Sequence, residues 1–327
     1  MNPKIFIGPM SKNIVDSIIQ VVNEGDMAIG MIPSRRQVEY NGGYVNNWKT
    51  NEFINYVRRK TDRVLLERDH GGPMQGYKND DGLESYKEDS LCGFDIIHVD
   101  PFKKYSDIDM AAQYTIGNII FCNHYNNNCY YEVGTEEGIR KYSHEELDEF
   151  LNILYKQLGP LFERIKFAVI QSGTKLQSGK NISKIDEEKC SKMVNICKKY
   201  GLLSKEHNGD FISTKDIKKR FELGLDAINI APEFGSIETE CILNEIEKNN
   251  RKDLFNNFYK LCYNSRRWAK WFPRNFDPTL NPKKLIQVSG HYVFSENGFS
   301  EIKKELPNID EKICKQIMKK LKLLHSI

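Results

Sequence analysis

The sequence predicts an α/β fold: a (β/α)8 TIM-type barrel followed by an irregular C-terminal extension. Three observations lead there. Short apolar runs alternate with amphipathic stretches along most of the chain. The 327 residues suffice for one such barrel. Polar and titratable residues also follow one apolar run after another, where the βα loops of a barrel converge.

Taken in order, residues 11–24 carry Ile14, Val15, Ile18, Ile19 and Val22 at helical spacing behind Ser11, an N-cap candidate. The runs at 27–32, 63–67 and 95–99 are strand-like, and Pro33 ends the first. A helix over about 107–122 precedes a strand at 130–135. Ser143 and Glu146 form a capping-box pattern before Leu147, Phe150, Leu151, Leu154 and Leu158, so a long helix follows. A strand at 167–171 leads to a helix opened by Ser183 and Asp186, with Cys190, Met193, Val194 and Cys197 on one face. A strand at 201–207 precedes a helix behind Ser213 that carries Ile217 and Phe221. A strand at 227–231 leads to a helix around Ile242, Leu243 and Ile246.

These make seven strand-then-helix units in about 250 residues, and 4–8 and 285–294 compete for the eighth strand. Residues 265–307, rich in aromatic, Arg and Pro residues, break the rhythm and read as an excursion capping the barrel. The division is therefore 1–264 for the barrel, with the excursion and a terminal helix packed on it over 265–327.

Hydrophobic residues make up 39% and charged residues 28%, a profile of soluble proteins. The net charge of +3 is spread over interspersed Lys and Glu, which argues against nucleic acid as a partner. No stretch reaches the roughly 18 apolar residues of a membrane span, and the first residues do not form a secretory signal. The eight cysteines form no CxxC pair, so a reducing, cytoplasmic setting is expected. Cys190 and Cys197 lie seven apart, two helical turns on one face, which reads as core packing.

The chemistry gathers after the strands. Arg68-Asp69-His70-Gly71-Gly72-Pro73 follows the second run, His98 and Asp100 close the third, and Glu136 follows the fourth. Gln171-Ser172-Gly173-Thr174, then Glu206-His207-Asn208-Gly209-Asp210, then Pro232-Glu233-Phe234-Gly235-Ser236 continue the series. Asp210 has a plain reading as a helix N-cap, Glu233 as an exposed loop residue and His98 as a hydrogen-bonded core group. Recurrence at one structural position nevertheless favours a site. Imidazole and carboxylate together suit a divalent metal, zinc first, with manganese or magnesium as alternatives. Such a metal polarises a ketone while a nearby carboxylate moves protons. The loops Gly71-Gly72, Ser172-Gly173 and Gly235-Ser236 offer backbone N–H groups to a phosphate, and Arg35, Arg36, Arg68 and Lys175 offer charge.

Quoted in order, Gln37-Val38 with Gly42-Gly43-Tyr44, Asp69-His70-Gly71-Gly72-Pro73, His98-Val99-Asp100, Gly134-Thr135-Glu136, Val169-Ile170-Gln171-Ser172-Gly173, Glu206-His207 with Asp210, and Ala231-Pro232 resemble one family. It is that of the large, Z-type subunits of class II D-tagatose-1,6-bisphosphate aldolase. The likeness runs over roughly residues 25–250. The resemblance implies a TIM barrel related to class II ketose-bisphosphate aldolases. It implies either retro-aldol and aldol chemistry on a phosphorylated ketose, as aldolase or C4-epimerase, or a non-catalytic subunit that stabilises an aldolase partner. By analogy His70 and His207 are metal ligands with Glu136 as a third, and Asp69 or Asp100 transfers protons, with Glu206 a further catalytic candidate. Gln37 and Gln171 join Arg35, Arg36, Arg68, Ser172, Gly173, Lys175, Gly235 and Ser236 as substrate-binding residues. A homo-oligomer is expected.

The chain also departs from the family. Ile32-Pro33-Ser34-Arg35-Arg36 stands where an acidic residue followed by small polar ones is typical, and Arg68 replaces a small residue before Asp69. The extra cations imply a substrate more anionic than tagatose bisphosphate, or a second phosphate or carboxylate, in a specialised sugar pathway such as surface polysaccharide precursor synthesis. Arg266-Arg267-Trp268 to Pro273 offers a further anion contact.

Overall fold

The computed structural model describes residues 3–327 apart from Asp26, Lys78, Lys175, Ser178 and Ser183. Eight parallel strands close on themselves: β1 (Ile5–Ile7), β2 (Ile29–Met31), β3 (Leu65–Gly71), β4 (Ile96–Val99), β5 (Tyr130–Val133), β6 (Ile165–Ile170), β9 (Leu203–Glu206) and β10 (Ala227–Ile230). Between β6 and β9 lies an antiparallel hairpin of β7 (Leu176–Gln177) and β8 (Lys180–Asn181). The contested eighth strand is the one at 4–8, because Ile5 pairs with Ile228 on one side and Ile29 on the other and so closes the barrel. Residues 285–294 instead contribute to helix α10 (Pro282–Ser289) and a 3-10 turn at Gly290–Tyr292. Pro282, in the first turn, donates no backbone hydrogen bond and costs that helix nothing. Leu285, Ile286 and Ser289 then bury its inner face.

The caps fall where short polar side chains meet orphan N–H groups. Ser11 caps α1 (Lys12–Glu24), Asp107 caps α4 (Ile108–Tyr125), and Ser143 with Glu146 makes the capping box of α5 (His144–Leu158). Asp186 caps α6 (Glu187–Lys199), whose Cys190 and Cys197 are both buried; Ser183 lies outside the described residues. Ser213 caps α7 (Thr214–Glu222), and α8 (Pro232–Lys248) opens on proline.

Several helices have no counterpart in the sequence reading, among them α2 (Thr50–Arg58) and α3 (Leu83–Cys92). The first is short, and the second buries Ser85, Tyr86, Asp89 and Ser90, a face too polar to show apolar periodicity. After α8 come α9 (Lys252–Ser265), α11 (Asn297–Lys304) and α12 (Ile309–His325). Helix α12 lies against α1 and α8 and buries Ile309, Ile313, Ile317, Leu321 and Leu324. No helix among the described residues is long and apolar enough to cross a membrane.

Inside the barrel, Phe6, Ile32, Ile96, Phe167 and Ala227 form a separate apolar plug. Phe6 and Phe167 meet edge to face at 5.6 Å. Position 30 has to be glycine, since a Cβ there would come within 2.1 Å of the Phe6 ring. Next to the plug the interior becomes charged, with Glu67, Glu132 and Lys205 all buried. That change prepares the carboxyl end of the barrel for chemistry.

Candidate active site

The β3–β4 register shifts between Arg68 and Gly71, and His70 adopts a φ of +45°. Regular alternation would send Asp69 and His70 to opposite faces. The bulge turns both side chains into one cavity of about 290 Å³. A positive φ on a non-glycine residue is costly, and here it accompanies the one-residue offset that brings His70 inward.

Three imidazoles meet there: His70 and His207 line the cavity, and His98 is buried behind them. His70 Nδ1 lies 2.7 Å from Asp100 Oδ2, His98 Nε2 lies 3.0 Å from the Gly134 carbonyl, and His207 Nε2 lies 2.5 Å from Glu132 Oε1. Each partner is an acceptor, so each ring directs an N–H there, and the other nitrogen carries a lone pair only when the ring is neutral. His70 Nε2 and His207 Nδ1 then face each other at 3.3 Å. Asp69 Oδ1 stands 3.8 Å from His70 Nε2 and 3.6 Å from His207 Nδ1, buried and without a hydrogen-bond partner. His98 Nδ1 accepts the His70 backbone N–H at 3.2 Å. One donor atom from each of Asp69, His70, His98 and His207 lies within 4.8 Å of the others. Lone pairs and an orphaned carboxylate oxygen so close together call for a cation or a proton between them. Imidazoles pinned from behind by carboxylates or carbonyls are how proteins orient metal ligands.

The electrostatics follow from burial. Burial raises the Asp69 carboxyl to about 7; Glu132 and Glu136 add to the shift, while His70 and Lys205 oppose it. Burial alone would depress His70, but Asp69, Asp100 and Glu136 overcome it and lift the imidazole to about 10. Burial pushes His98 and His207 well below their usual value, and the charge on His70 adds to this. Beneath His207, Glu132 Oε2 accepts from Lys205 Nζ at 2.7 Å, and Lys205 donates also to Glu67 Oε2 at 2.6 Å. The same ammonium sits 3.7 Å from the Phe6 ring centroid. Burial works against this charge, yet Glu132 and Glu67 outweigh it and raise Lys205.

Of the catalytic, metal-binding and substrate-binding candidates, Arg36, Gln37, Asp69, His70, Glu136 and His207 line the cavity, and Asn208 and Asp210 from the same run as His207 join them. Glu136 lies outside the converging donor set: it is 3.9 Å from His70 Nε2 and takes a hydrogen bond from Asn208. His98, whose plain reading was a core group, stands in that set instead. Asp100 is an orienting group, since His70, Gln75, Thr135 and the Phe102 N–H occupy its oxygens. Asp210 does not cap the helix after its own strand, which Ser213 caps; it accepts instead from the Ala231 and Glu233 N–H groups at the start of α8, one strand further on. Glu233 is no free loop residue, because Lys320 pairs with it at 2.5 Å.

Glu206 points out of the barrel, where Arg220 Nε at 2.8 Å and the Ser172 hydroxyl hold it, so it cannot serve the cavity. Arg68 is fully buried behind β3, bound to Asp89 and to the Pro33 and Val38 carbonyls. Arg35 is likewise consumed by Glu39, Asp80 and the Gly72 carbonyl. Gln171 ties together the Thr135 and Arg140 carbonyls and the Tyr142 N–H. Gly173 makes a turn at φ +92°, and Gly235 clears space for His291, whose Cβ would stand 2.8 Å from an added methyl. Ser236 turns toward the Gln287 carbonyl at 3.4 Å. None of these buried or structural residues lines the cavity, and Lys175 lies outside the described residues.

The sequence reading also missed Glu67, Glu132 and Lys205, along with Gln75, Lys103, Asn229, His291 and Tyr292, which line or support the cavity, while Lys270 and Trp271 fall in the 266–273 stretch expected to contact an anion. The strand parity that places His207 inside would have placed Lys205 inside as well. Nothing local marks His291 and Tyr292.

No protein-family model matches the sequence, and no curated protein matches it. Among solved structures, the chain resembles a probable tagatose 6 phosphate kinase from Sinorhizobium meliloti, at 13% identity and a TM-score of 0.75 over 99% of this chain and 100% of that one. It resembles the glycerol complex of fructuronate-tagaturonate epimerase UxaE from Cohnella laeviribosi at 10% identity and a TM-score of 0.68, over 99% and 81% of the two chains. The YdjI aldolase from Escherichia coli aligns at 14% identity and a TM-score of 0.55, over 92% and 90%. At such identities the likeness establishes a shared barrel fold.

Proposed function

We propose that the chain is a metal-dependent enzyme that makes and breaks a carbon–carbon bond in a phosphorylated ketose, as an aldolase or a C4-epimerase. The observation that carries this reading is the convergence of the carboxylate-pinned His70 and His207 rings, with His98 beside them, on the orphaned Asp69 oxygen. His70 Nε2 and His207 Nδ1, the two ring nitrogens that face each other beside Asp69, would hold a divalent cation, with His98 packed behind them and holding the His70 backbone N–H; zinc suits that donor set. When bound, it polarises the substrate's C2 carbonyl and stabilises the negative charge that develops there. Asp69 accepts the proton of the C4 hydroxyl. The C3–C4 bond then breaks, a carbonyl forms at C4, and the electron pair passes to the C2–C3 fragment. Protonation of that fragment completes an aldolase; rotation of the aldehyde before the bond re-forms, with Asp69 returning its proton, completes an epimerase. Glu132 and Asp100 fix the rings, and Trp271 and Tyr292 line the cavity with aromatic surface. The sugar enzymes among the structural neighbours support the same chemistry by analogy of fold.

The test is an NMR assay on the purified chain with fructose 6-phosphate, fructose 1,6-bisphosphate and tagatose 1,6-bisphosphate, with zinc, manganese or magnesium. Triose phosphates or a C4 epimer should appear, one metal should bind per chain, and His70→Ala and His98→Ala should abolish both. Neither turnover nor metal would end this reading and leave an accessory aldolase subunit in its place.

A further inference from the structure

Across the mouth of the cavity lies a set of cations placed by aromatic rings. The Arg267 guanidinium carbon stands 5.3, 5.2 and 5.5 Å from the ring centroids of Tyr44, Tyr77 and Tyr292. Lys270 Nζ lies 4.9 Å from Trp271 and 5.3 Å from Tyr292. Rings attract a cation without using its N–H donors, so those donors remain available to a ligand. Arg267 Nη1 is indeed buried with no partner. On the barrel side, Arg36 Nε reaches the Gly76 carbonyl at 3.3 Å, and Lys103 Nζ reaches the Met74 carbonyl at 2.6 Å. Among the described residues no ion pair engages Arg36, Lys103, Arg267 or Lys270.

The cations converge. Burial, then Arg36 and Lys270, depress the Lys103 ammonium, while Asp100 opposes them. Arg36, Tyr44, Lys270 and Tyr292 line both the imidazole cavity and an adjoining one of about 360 Å³. The facing carboxylates Asp69, Glu136 and Asp210 belong to the imidazole cavity, and Glu296 is close enough for Arg267 to oppose the upward shift of its carboxyl. Two further side chains lining the cavity are unsatisfied: both ring nitrogens of His291 and both amide atoms of Asn229 are buried without partners. They are 1% and 4% exposed, and buried polar groups ordinarily have partners.

We propose that this rim is a subsite for a terminal phosphate of the substrate, gripped by Arg36 and Lys103 from the barrel and Lys270 from the C-terminal excursion, with Arg267 behind them. The sugar hydroxyls then meet Asn229 and His291, and the ketone lies over the imidazoles. Several unneutralised cations match a dianion better than a carboxylate. The phosphate end depends on no metal; only the assignment of the reacting end rests on the function proposed above. The excursion thereby becomes a specificity element.

Trp271 lines the cavity next to Lys270, so tryptophan fluorescence of the full chain reads binding directly. Fructose 6-phosphate, fructose, glucuronate and inorganic phosphate are titrated into the wild type, Arg36→Ala, Lys270→Ala and His70→Ala. Fructose 6-phosphate should bind at least about ten-fold tighter than fructose, and each rim variant should lose about ten-fold for the phosphate ester alone, the scale of one charged hydrogen bond. His70→Ala should retain the binding of inorganic phosphate. Rim variants that bind the ester as the wild type does overturn the subsite, as does glucuronate binding more tightly than the ester. Rim-dependent phosphate binding in a chain with neither metal nor turnover would uphold the subsite and sink the proposed reaction alone.

Discussion

Asp69 and His207 face the inside of the barrel, while Arg68 and Glu206, one residue earlier in each case, face the helix layer. The two faces carry buried charge in different ways. Outside, Arg68 pairs with Asp89 through two bonds of 2.8 and 2.6 Å, and Glu206 pairs with Arg220 at 2.8 Å. These are closed pairs: each fastens a strand to a helix and leaves nothing for a ligand. Inside, Glu67, Lys205, Glu132 and His207 form an open chain that ends on a lone pair at the cavity floor. The lesson is that burial of a charged residue in this barrel does not mark a site. What marks one is a network with an unspent donor or acceptor at its end.

The comparison breaks most visibly at Arg68. Arg68→Met strips Asp89 of its counter-charge at zero exposure and frees the Pro33 and Val38 carbonyls. Removal of one member of a buried pair costs about 3–5 kcal/mol, so thermal or urea unfolding should show a loss of that size. Adding Asp89→Leu should recover a part, because the uncompensated charge goes with it. Metal stoichiometry of the remaining folded protein should match the wild type. If it falls with stability, the outer pairs are not merely structural, and the division between the faces is wrong.

Glu132 sharpens the same division from inside. Glu132→Gln keeps an acceptor for His207 but removes the negative charge that raises the ring's basicity and balances Lys205. A lost partner behind a metal-binding imidazole typically costs about 10–100-fold in metal affinity. Zinc competition against a chromophoric chelator should show that loss. An unchanged affinity accompanied by unfolding would place Glu132 with the closed pairs.

The architecture was legible because its signals are local and repeated. Ser11, Ser143 with Glu146, Asp186 and Ser213 each cap the helix they announce. Helix α3 was hidden because its inner face holds Asp89 for Arg68, a pairing that only the fold creates. In the site, Asp69, His70 and His207 were visible as polar residues after strands. Glu206, Arg68 and Gln171 look the same in sequence, and strand parity, together with the bulge at His70, separates them. Lys270 and Trp271 lie in the Arg- and Trp-rich stretch read as an anion contact, but His291 and Tyr292 come from a segment without periodicity, so chain topology alone brings those two to the cavity.

A third kind of buried carboxylate tests what a partner cation contributes. Glu238, on α8, is buried against α1 and is held by the Ser11 hydroxyl and by Asn13 Nδ2 at 2.9 Å. Burial lifts its carboxyl to about 7; those two bonds and the charge of Lys303 oppose the shift, and Asp310 adds to it. Below pH of about 4.5 the folded and unfolded chains both hold the proton, and Glu238 carries no penalty. Between there and about pH 7 the unfolded chain releases a proton that the folded chain retains, so stability falls as pH rises. Glu238→Gln keeps an acceptor for Asn13 and removes the titration. Its stability relative to the wild type should therefore climb from near zero at low pH to about 3 kcal/mol above pH 8, read by urea unfolding across that range. A flat difference would mean that the hydroxyl and amide compensate the buried charge as well as Arg220 does for Glu206, and that neutral donors suffice where the outer face uses cations.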